Sequence, residues 1–349
     1  MFEPIYQISP QLLRTIKRIT ILVHEYNQRR LTQLQLAQLL SEARVTSTYA
    51  STSIEGNPLP LTEVRRLLKN HPDHVRQSER EVLNYNQALI QLYAQPNVAF
   101  TTDLILQIHQ QVTEGLLPPH QVGAWRQEPV VVYAPRTGDV VYLPPEHQDV
   151  ADLMGDLVDF VQAQQHDLDP LLLAGLFHKQ FVVIHPFIDG NGRTARLATN
   201  VLLHDLGLNF FNLLSFENYY NLNVTRYFRH VGVFGNYYDL RETLDFTAWL
   251  EYFSEGILDE LLRLEKSVTQ TAVGPDFRLE IYHQQILDYI DKHGFITDRD
   301  YAALTTRAKA TRSLDFKKLI ALGLIERLGR GRSTYYQRAK SSAWSGQDG

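Results

Sequence analysis

The sequence predicts a mostly α-helical protein, interrupted by one β-hairpin and followed by a small basic module near its C-terminal end. Three observations carry this. Apolar residues recur at three- and four-residue spacing along most of the chain. Only Pro129 to Tyr142 departs from it, with Val130-Val131-Val132-Tyr133 and Val140-Val141-Tyr142 as β-rich runs around a Thr-Gly-Asp turn. From Arg299 to Lys340 there are eleven Lys/Arg against three Asp/Glu, although the 349-residue chain as a whole has a net charge of −5.

The elements follow in order. Ser9 to Ala43 places Leu12, Leu13, Ile16, Ile19, Leu22 and Val23 at helical spacing, with Pro10 suited to a first turn. Leu36 to Ile54 continues helically but turns rich in Ser and Thr, and Gly56-Asn57-Pro58 ends it. Leu61–Lys69, Glu79–Ala94 and Asp103–Glu114 read as further helices. An isolated hairpin is marginal and has open edges, so Pro129 to Tyr142 must pack as a lid or pair with a partner strand. Helices resume at Glu146–Gln164, Pro170–Ile184, Gly192–Leu206 and Phe246–Val268. Thr271 to Asp276 is a polar linker with two breakers. Beyond it Ile281–Lys292, Arg299–Thr305 and Thr311–Leu322 look helical, with Gly323 capping the last. Leu324–Leu328 and Ser333–Gln337 then flank Gly329-Arg330-Gly331-Arg332, which completes a winged helix-turn-helix pattern. The expected domains are 1–76 (N-terminal helices), 77–270 (core) and 277–340 (basic module), with 341–349 a disordered tail.

Composition narrows the chemistry. Hydrophobic residues make up 44%, enough for a real core. The absence of cysteine excludes disulfides, zinc-thiolate sites and a Cys nucleophile, and makes a reducing cytoplasm the expected compartment. No apolar run approaches the ~18 residues that cross a bilayer, and the start lacks the basic flank and apolar stretch of a signal peptide, so no membrane partner is expected.

The informative segment is His185-Pro186-Phe187-Ile188-Asp189-Gly190-Asn191-Gly192-Arg193-Thr194-Ala195-Arg196. A strongly apolar helix ends at His185, and Pro186 prevents its continuation. Gly190 and Gly192 let the chain turn tightly into the next helix, whose exposed N–H groups and partial positive charge suit a phosphate. Arg193 and Arg196, three residues apart, add guanidinium forks on one face. Asp189 beside an anion site calls for a divalent cation between carboxylate and phosphate, the usual setting of Mg²⁺. A histidine has an unperturbed pKa near neutrality, so His185 can accept a proton from an attacking hydroxyl.

This segment resembles the signature of the Fic (filamentation induced by cAMP) family, His-x-Phe-x-[Asp/Glu]-Gly-Asn-Gly-Arg-x-x-Arg, with every fixed position filled. Gly123-x-x-Arg126, Pro144-Pro145, Phe177-His178 and Trp249 are also family-like, so the resemblance spans roughly Gln77 to Phe253. It implies a Fic-type helical core whose hairpin, the flap (Val140, Val141, Tyr142), clamps a target segment by strand addition. The implied activity is transfer of AMP from ATP to a Tyr, Thr or Ser hydroxyl of a protein, or of the chain itself. His185 would be the base, Phe187 the anchor of the loop, and Asp189 the Mg²⁺ ligand. Gly190, Asn191 and Gly192 would form the anion hole, and Arg193 to Arg196, with Thr194 and Ala195 between them, the phosphate-binding turn. Tyr227 and Asn236 would contact adenine, although Tyr227-Phe228 replaces the family's Tyr-Tyr pair and the connection is longer.

Ser51-Thr52-Ser53-Ile54-Glu55-Gly56 resembles the family's inhibitory motif, [Ser/Thr]-x-x-x-Glu-[Gly/Asn], here in an N-terminal helix. Ser51, Glu55 and Gly56 fill its fixed positions, and Arg196 is the partner it implies for Glu55. A carboxylate there would compete with the γ-phosphate; the bland alternative is a solvated residue at a helix end. The basic module has two readings of equal standing. One is duplex DNA binding through Arg307, Lys309, Arg312, Lys317 and Lys318 with Arg330 and Arg332 at the wing; the other is a protein contact or homodimer surface. Removal of AMP by the same site, use of another nucleotide, and a regulator that only senses ATP are the alternative functions.

Overall fold

The computed structural model describes residues 2–29, 31, 33–70, 74–94, 98–133, 138–204, 207, 211–273, 280–321, 324–329 and 331–339. Several expectations lie outside them: Arg330, the Gly323 cap, part of the flap turn, the second half of the linker and the tail 341–349. The chain divides into two compact units, one drawn from residues 1–29 and 44–263, the other from 30–43 and 264–349.

Helix α1 (Pro10–Asn27) starts where the Ser9 hydroxyl accepts from the Leu12 N–H. The single helix expected from Ser9 to Ala43 is broken after Asn27, because Asn27-Gln28-Arg29 offers no apolar residue to bury, and α2 (Gln33–Ile54) begins anew. Its second half, rich in Ser and Thr, is buried, and Gly56 at φ +90° ends it. The first unit continues with α3 (Leu61–Lys69), α4 (Gln77–Tyr93) and α5 (Thr102–Thr113).

Strands β1 (Val132–Tyr133) and β2 (Val140–Leu143) pair antiparallel as the predicted hairpin. A third strand joins them: β2 also pairs in parallel with β3 (Gly235–Asn236), so the hairpin finds its partner within its own chain. Helices α6 (Val150–Gln164), α7 (Pro170–Ile184) and α8 (Asn191–Leu203) follow the hairpin. Thirteen of the fifteen residues of α7 are buried, which makes it the central helix of this unit. Short α9 (Glu217–Leu222) and α10 (Val224–Val231) precede β3, α11 (Tyr237–Leu240) and the long α12 (Thr247–Val273) come after it. Trp249 of α12 is wholly buried, its indole N–H donating to the Gly175 carbonyl of α7 at 2.7 Å. Residues 271–273, expected in the linker, are helical.

The second unit contains α13 (Ile281–His293), α14 (Asp298–Leu304) and α15 (Lys309–Ala321), then the antiparallel pair β4 (Ile325–Leu328) and β5 (Tyr335–Arg338). Ile296, between α13 and α14, exchanges both backbone hydrogen bonds with Tyr336 at 2.8 Å. Ile286, Leu287, Ile290, Ile296, Tyr301, Phe316, Leu319, Leu324 and Ile325 form its core. Among the described residues no helix is long and apolar enough to cross a membrane.

Candidate active site

The motif occupies the junction of α7 and α8. Asp169 caps the start of α7 by accepting from the Leu171 N–H, and Pro170 fills its first turn. At the other end His185 adopts φ 52°, ψ 60°, the only positive φ outside glycine among the described residues. Pro186 excludes the α conformation for the residue before it, and the left-handed turn lets the His185 N–H still reach the Phe181 carbonyl at 3.0 Å. Such a conformation stores about 1–3 kcal/mol and persists only where the surroundings fix it.

Here they do, carbonyl by carbonyl. Arg126 donates from Nε to the His185 carbonyl at 2.9 Å and from its backbone N–H to that of Pro186 at 3.0 Å. The Asn191 amide clamps Phe187, accepting from its N–H at 2.9 Å and donating to its carbonyl at 2.8 Å. His109 of α5 donates to the Asp189 carbonyl at 3.0 Å. Phe187 is fully buried between His109 and Trp125, with ring centroids 3.6 and 5.1 Å away. The loop is pre-formed, which is what a phosphate site requires.

Within it His185 is half-buried, and burial pushes its imidazole down to about 4. It is neutral at pH 7 and able to accept a proton. Its Nδ1 is buried. Asp189 is exposed and accepts from the Gly190 N–H at 2.6 Å and from Arg193 at 3.2 Å. Gly190, at φ +81°, precedes α8, so the N–H groups of Asn191, Gly192 and Arg193 open the helix without intrahelical acceptors. Arg193 is buried between two carboxylates, Glu81 of α4 at 2.5 Å and Asp189.

Arg196 is wholly buried. It donates from Nε to the Ser51 hydroxyl at 2.7 Å, and from Nη2 to the Ser51 carbonyl at 2.9 Å and to Glu55 at 2.7 Å. Burial works against its charge, but Glu55 and the neighbouring Tyr227 and Tyr85 leave its pKa raised. A methyl group added at Gly192 would overlap the Glu55 carboxylate oxygen. Glu55 therefore lies against the N-terminus of α8, where an anion belongs. Ser51 accepts from Arg196, and Gly56 lies in the turn after Glu55. Thr194 and Ala195 are fully buried on α8.

Two expectations need correction. Tyr142 does not face an incoming strand: its backbone edge pairs with Gly235, its ring is buried, and its hydroxyl donates to the Val183 carbonyl at 2.8 Å. Val140 is exposed and Val141 half-buried, and among the described residues the unpaired edge of the flap is the outer edge of β1. Tyr227 is not an open ring for adenine. It is 1% exposed, stacks on Tyr220, and donates to His178 Nε2 at 3.0 Å. That direction follows because His178 Nδ1 faces Thr199, whose hydroxyl already donates to the Ala195 carbonyl. Asn236 lies in β3, its side chain accepting from the Tyr238 N–H at 2.9 Å as the cap of α11. His109 and Glu81 have no place in the sequence reading, yet they touch Asp189 and Arg193.

Residues 99–203 match the family model described as the Fic/DOC family. The protein adenylyltransferase Fic of Nematostella vectensis is 32% identical over 181 residues, 50% of this chain and 40% of that protein. The protein adenylyltransferase fic-1 of Caenorhabditis elegans is 30% identical over 176 residues, 48% of this chain and 33% of that protein. The chain thus spans less than half the length of these relatives. Among solved structures, a Fic family protein from Desulfovibrio desulfuricans aligns over 97% of this chain and 99% of its own, with TM-score 0.67 and 22% identity. A fragment of Fic-1 from C. elegans aligns over 74% and 73%, with TM-score 0.59 and 21% identity. At those identities the structures speak for the fold alone. The filled motif, the pre-formed helix junction and the family match fall on the same residues, so residues 99–203 carry a Fic domain.

Proposed function

We propose that the chain is an ATP-dependent protein adenylyltransferase that moves AMP onto a Tyr, Thr or Ser hydroxyl of a protein, with Glu55 as its brake. The observation that carries this is the convergence on one fixed loop of a neutral imidazole, a carboxylate, an open helix N-terminus and two buried arginines. The names of the relatives agree with it. In the reaction the target hydroxyl oxygen bonds to the α-phosphorus and the bond from that phosphorus to the β-phosphate oxygen breaks. Pyrophosphate leaves, and the hydroxyl proton passes to His185. The N–H groups of Asn191 to Arg193, with the two guanidinium groups, hold the phosphates while charge shifts onto the leaving group.

Asp189 would hold Mg²⁺. Among the described residues no group of three or more His, Cys, Asp or Glu side chains could cage a metal. A lone exposed carboxylate fits an ion that binds through one or two carboxylates, water and substrate phosphates. Bound there, Mg²⁺ supplies charge neutralisation on the phosphates.

The brake follows from occupancy. Glu55 takes the Arg196 fork and the space over Gly192, so a γ-phosphate cannot use either, and ATP that binds elsewhere presents its α-phosphorus out of line. Incubation with ATP labelled at the α-phosphate, in the presence of a protein extract, tests this. Glu55→Gly should label protein about tenfold faster than the natural chain or more, a change typical of restored alignment. Glu55→Gly with Arg196→Ala should not. A Glu55→Gly protein that labels nothing, itself included, would defeat the transferase reading; one that labels faster but no longer removes AMP from a pre-modified target would give Glu55 a role in the reverse reaction too.

A further inference from the structure

We propose that His109 is a positioning residue of the phosphate site: a neutral imidazole that fixes the Asp189–Gly190 peptide, and with it the metal-binding carboxylate and the start of the anion hole. The proposal rests on the adenylyltransferase reading, because it assigns to Asp189 and Gly190 the roles given there.

Three independent contacts place it. His109 is fully buried on α5, and the Gly123 N–H donates to its Nδ1 at 3.0 Å. With Nδ1 accepting, Nε2 carries the proton and donates to the Asp189 carbonyl at 3.0 Å. The ring lies parallel to Phe187, 1° apart in plane, so it holds the loop through packing as well as polarity. Gly190 packs against the same wall: a methyl group there would meet Thr113 at 2.9 Å and His109 Nε2 at 3.5 Å. Thr113 in turn donates its hydroxyl to the His109 carbonyl at 2.6 Å, one turn earlier on α5.

The need for such a brace follows from what else holds Asp189. Its carboxylate accepts from Gly190 and Arg193, both within four residues, so these contacts move with the loop. Among the described residues, the His109 bond is the one that ties Asp189 to an element outside the loop and α8. Without it the carbonyl would be left without its donor and the peptide free to rotate. Displacement of a reacting geometry by about 1 Å commonly lowers rates on the order of a hundredfold.

Three substitutions in the Glu55→Gly protein separate the contacts. His109→Phe keeps a ring against Phe187 and loses both hydrogen bonds. His109→Asn places an amide near the position of Nδ1 and can serve Gly123 alone. His109→Gln places its amide nitrogen near the position of Nε2 and can serve Asp189 alone. The Phe and Asn variants should raise the half-saturating Mg²⁺ and the KM for ATP about tenfold or more, by the geometric argument above, while Gln stays within about threefold of the parent. A role in folding alone would lower the active fraction and leave both half-saturation values unchanged. Equal impairment of Gln and Asn, or Phe kinetics equal to the parent's, would overturn the proposal. Calorimetric titration with Mg²⁺ and a non-hydrolysable ATP analogue gives a readout that needs no turnover. If the parent transfers no AMP, the functional reading fails, but binding that ranks Gln above Asn and Phe still supports His109.

Discussion

Two features of His185 are imposed by its neighbours. The left-handed backbone turns the ring out of the α7 axis, and burial lowers its proton affinity to about 4. Burial is the leading cause, and the Arg126 guanidinium, held against the same carbonyl, adds to the drop. A base of that strength is unprotonated above about pH 5, so kcat/KM should be insensitive to this group near neutrality and fall as pH drops through about 4. His185→Ala should abolish transfer and retain ATP binding, because the phosphate contacts lie on other residues. Transfer by that variant at near the natural rate would remove His185 as the base. The motif residues were legible because the chemistry is written at fixed spacing along one stretch of chain. His109 was not, since it meets Asp189 across 80 positions of sequence and looks like any histidine on a helix. Tyr227 misled for the opposite reason: a tyrosine near the expected place reads as a ligand contact, and only the fold shows it covered by Tyr220.

At the scale of elements, α2 docks by polarity. Ser47, Ser51 and Glu55 follow one another at four-residue intervals on one face. Ser47 donates to Glu217 at 2.8 Å, Ser51 accepts from Arg196, and Glu55 pairs with it. Glu217 is fully buried, which raises its pKa, and it also accepts from Tyr85 at 2.9 Å and Asn200 at 3.0 Å. A Ser- and Thr-rich stretch is thus buried, because its hydroxyls serve buried charges that a Leu face would leave unsatisfied. The flap was legible as two short runs of β-branched and aromatic residues around a turn, while β3 was not, having only two residues to reveal its pairing. Loss of the Glu55 carboxylate removes the one carboxylate that pairs with the buried Arg196 among the described residues. Removing one member of a buried pair costs about 3–5 kcal/mol, less here because Glu55 is 27% exposed. Glu55→Gly should therefore melt at a lower temperature than the natural chain without nucleotide and gain more from Mg²⁺ and ATP, since ligand binding to the folded state adds stability by mass action. Equal melting and equal gain would make Glu55 a solvated helix-end residue.

For the molecule as a whole, the polarised charge seen in the sequence takes on a different meaning once its partners are known. Arg307 pairs with the buried Asp315 and lies 3.9 Å from the centroid of the Tyr282 ring. Arg312 binds both oxygens of Asp298 at 2.9 and 3.0 Å, and Arg338 holds Asp291 the same way. Tyr301 adds its hydroxyl to Asp315 at 2.8 Å, so much of the basic character of this unit serves to tie its three helices and hairpin together. Arg307 and Arg312 were two of the residues on which duplex DNA binding rested. To reach a phosphate each must first give up a carboxylate, which returns most of what the new contact supplies. Binding of the whole chain to a labelled duplex should then be no tighter than the ~10⁻⁴–10⁻⁶ M of non-specific association at physiological salt, and indifferent to sequence. The slope of log K against log salt should be shallow, since it counts the phosphates neutralised. Submicromolar binding with a steep slope, weakened by Arg307→Ala or Arg312→Ala, would show that these pairs open on DNA and restore the unit as a DNA reader. Weak, sequence-blind binding leaves its packed face as a surface for protein.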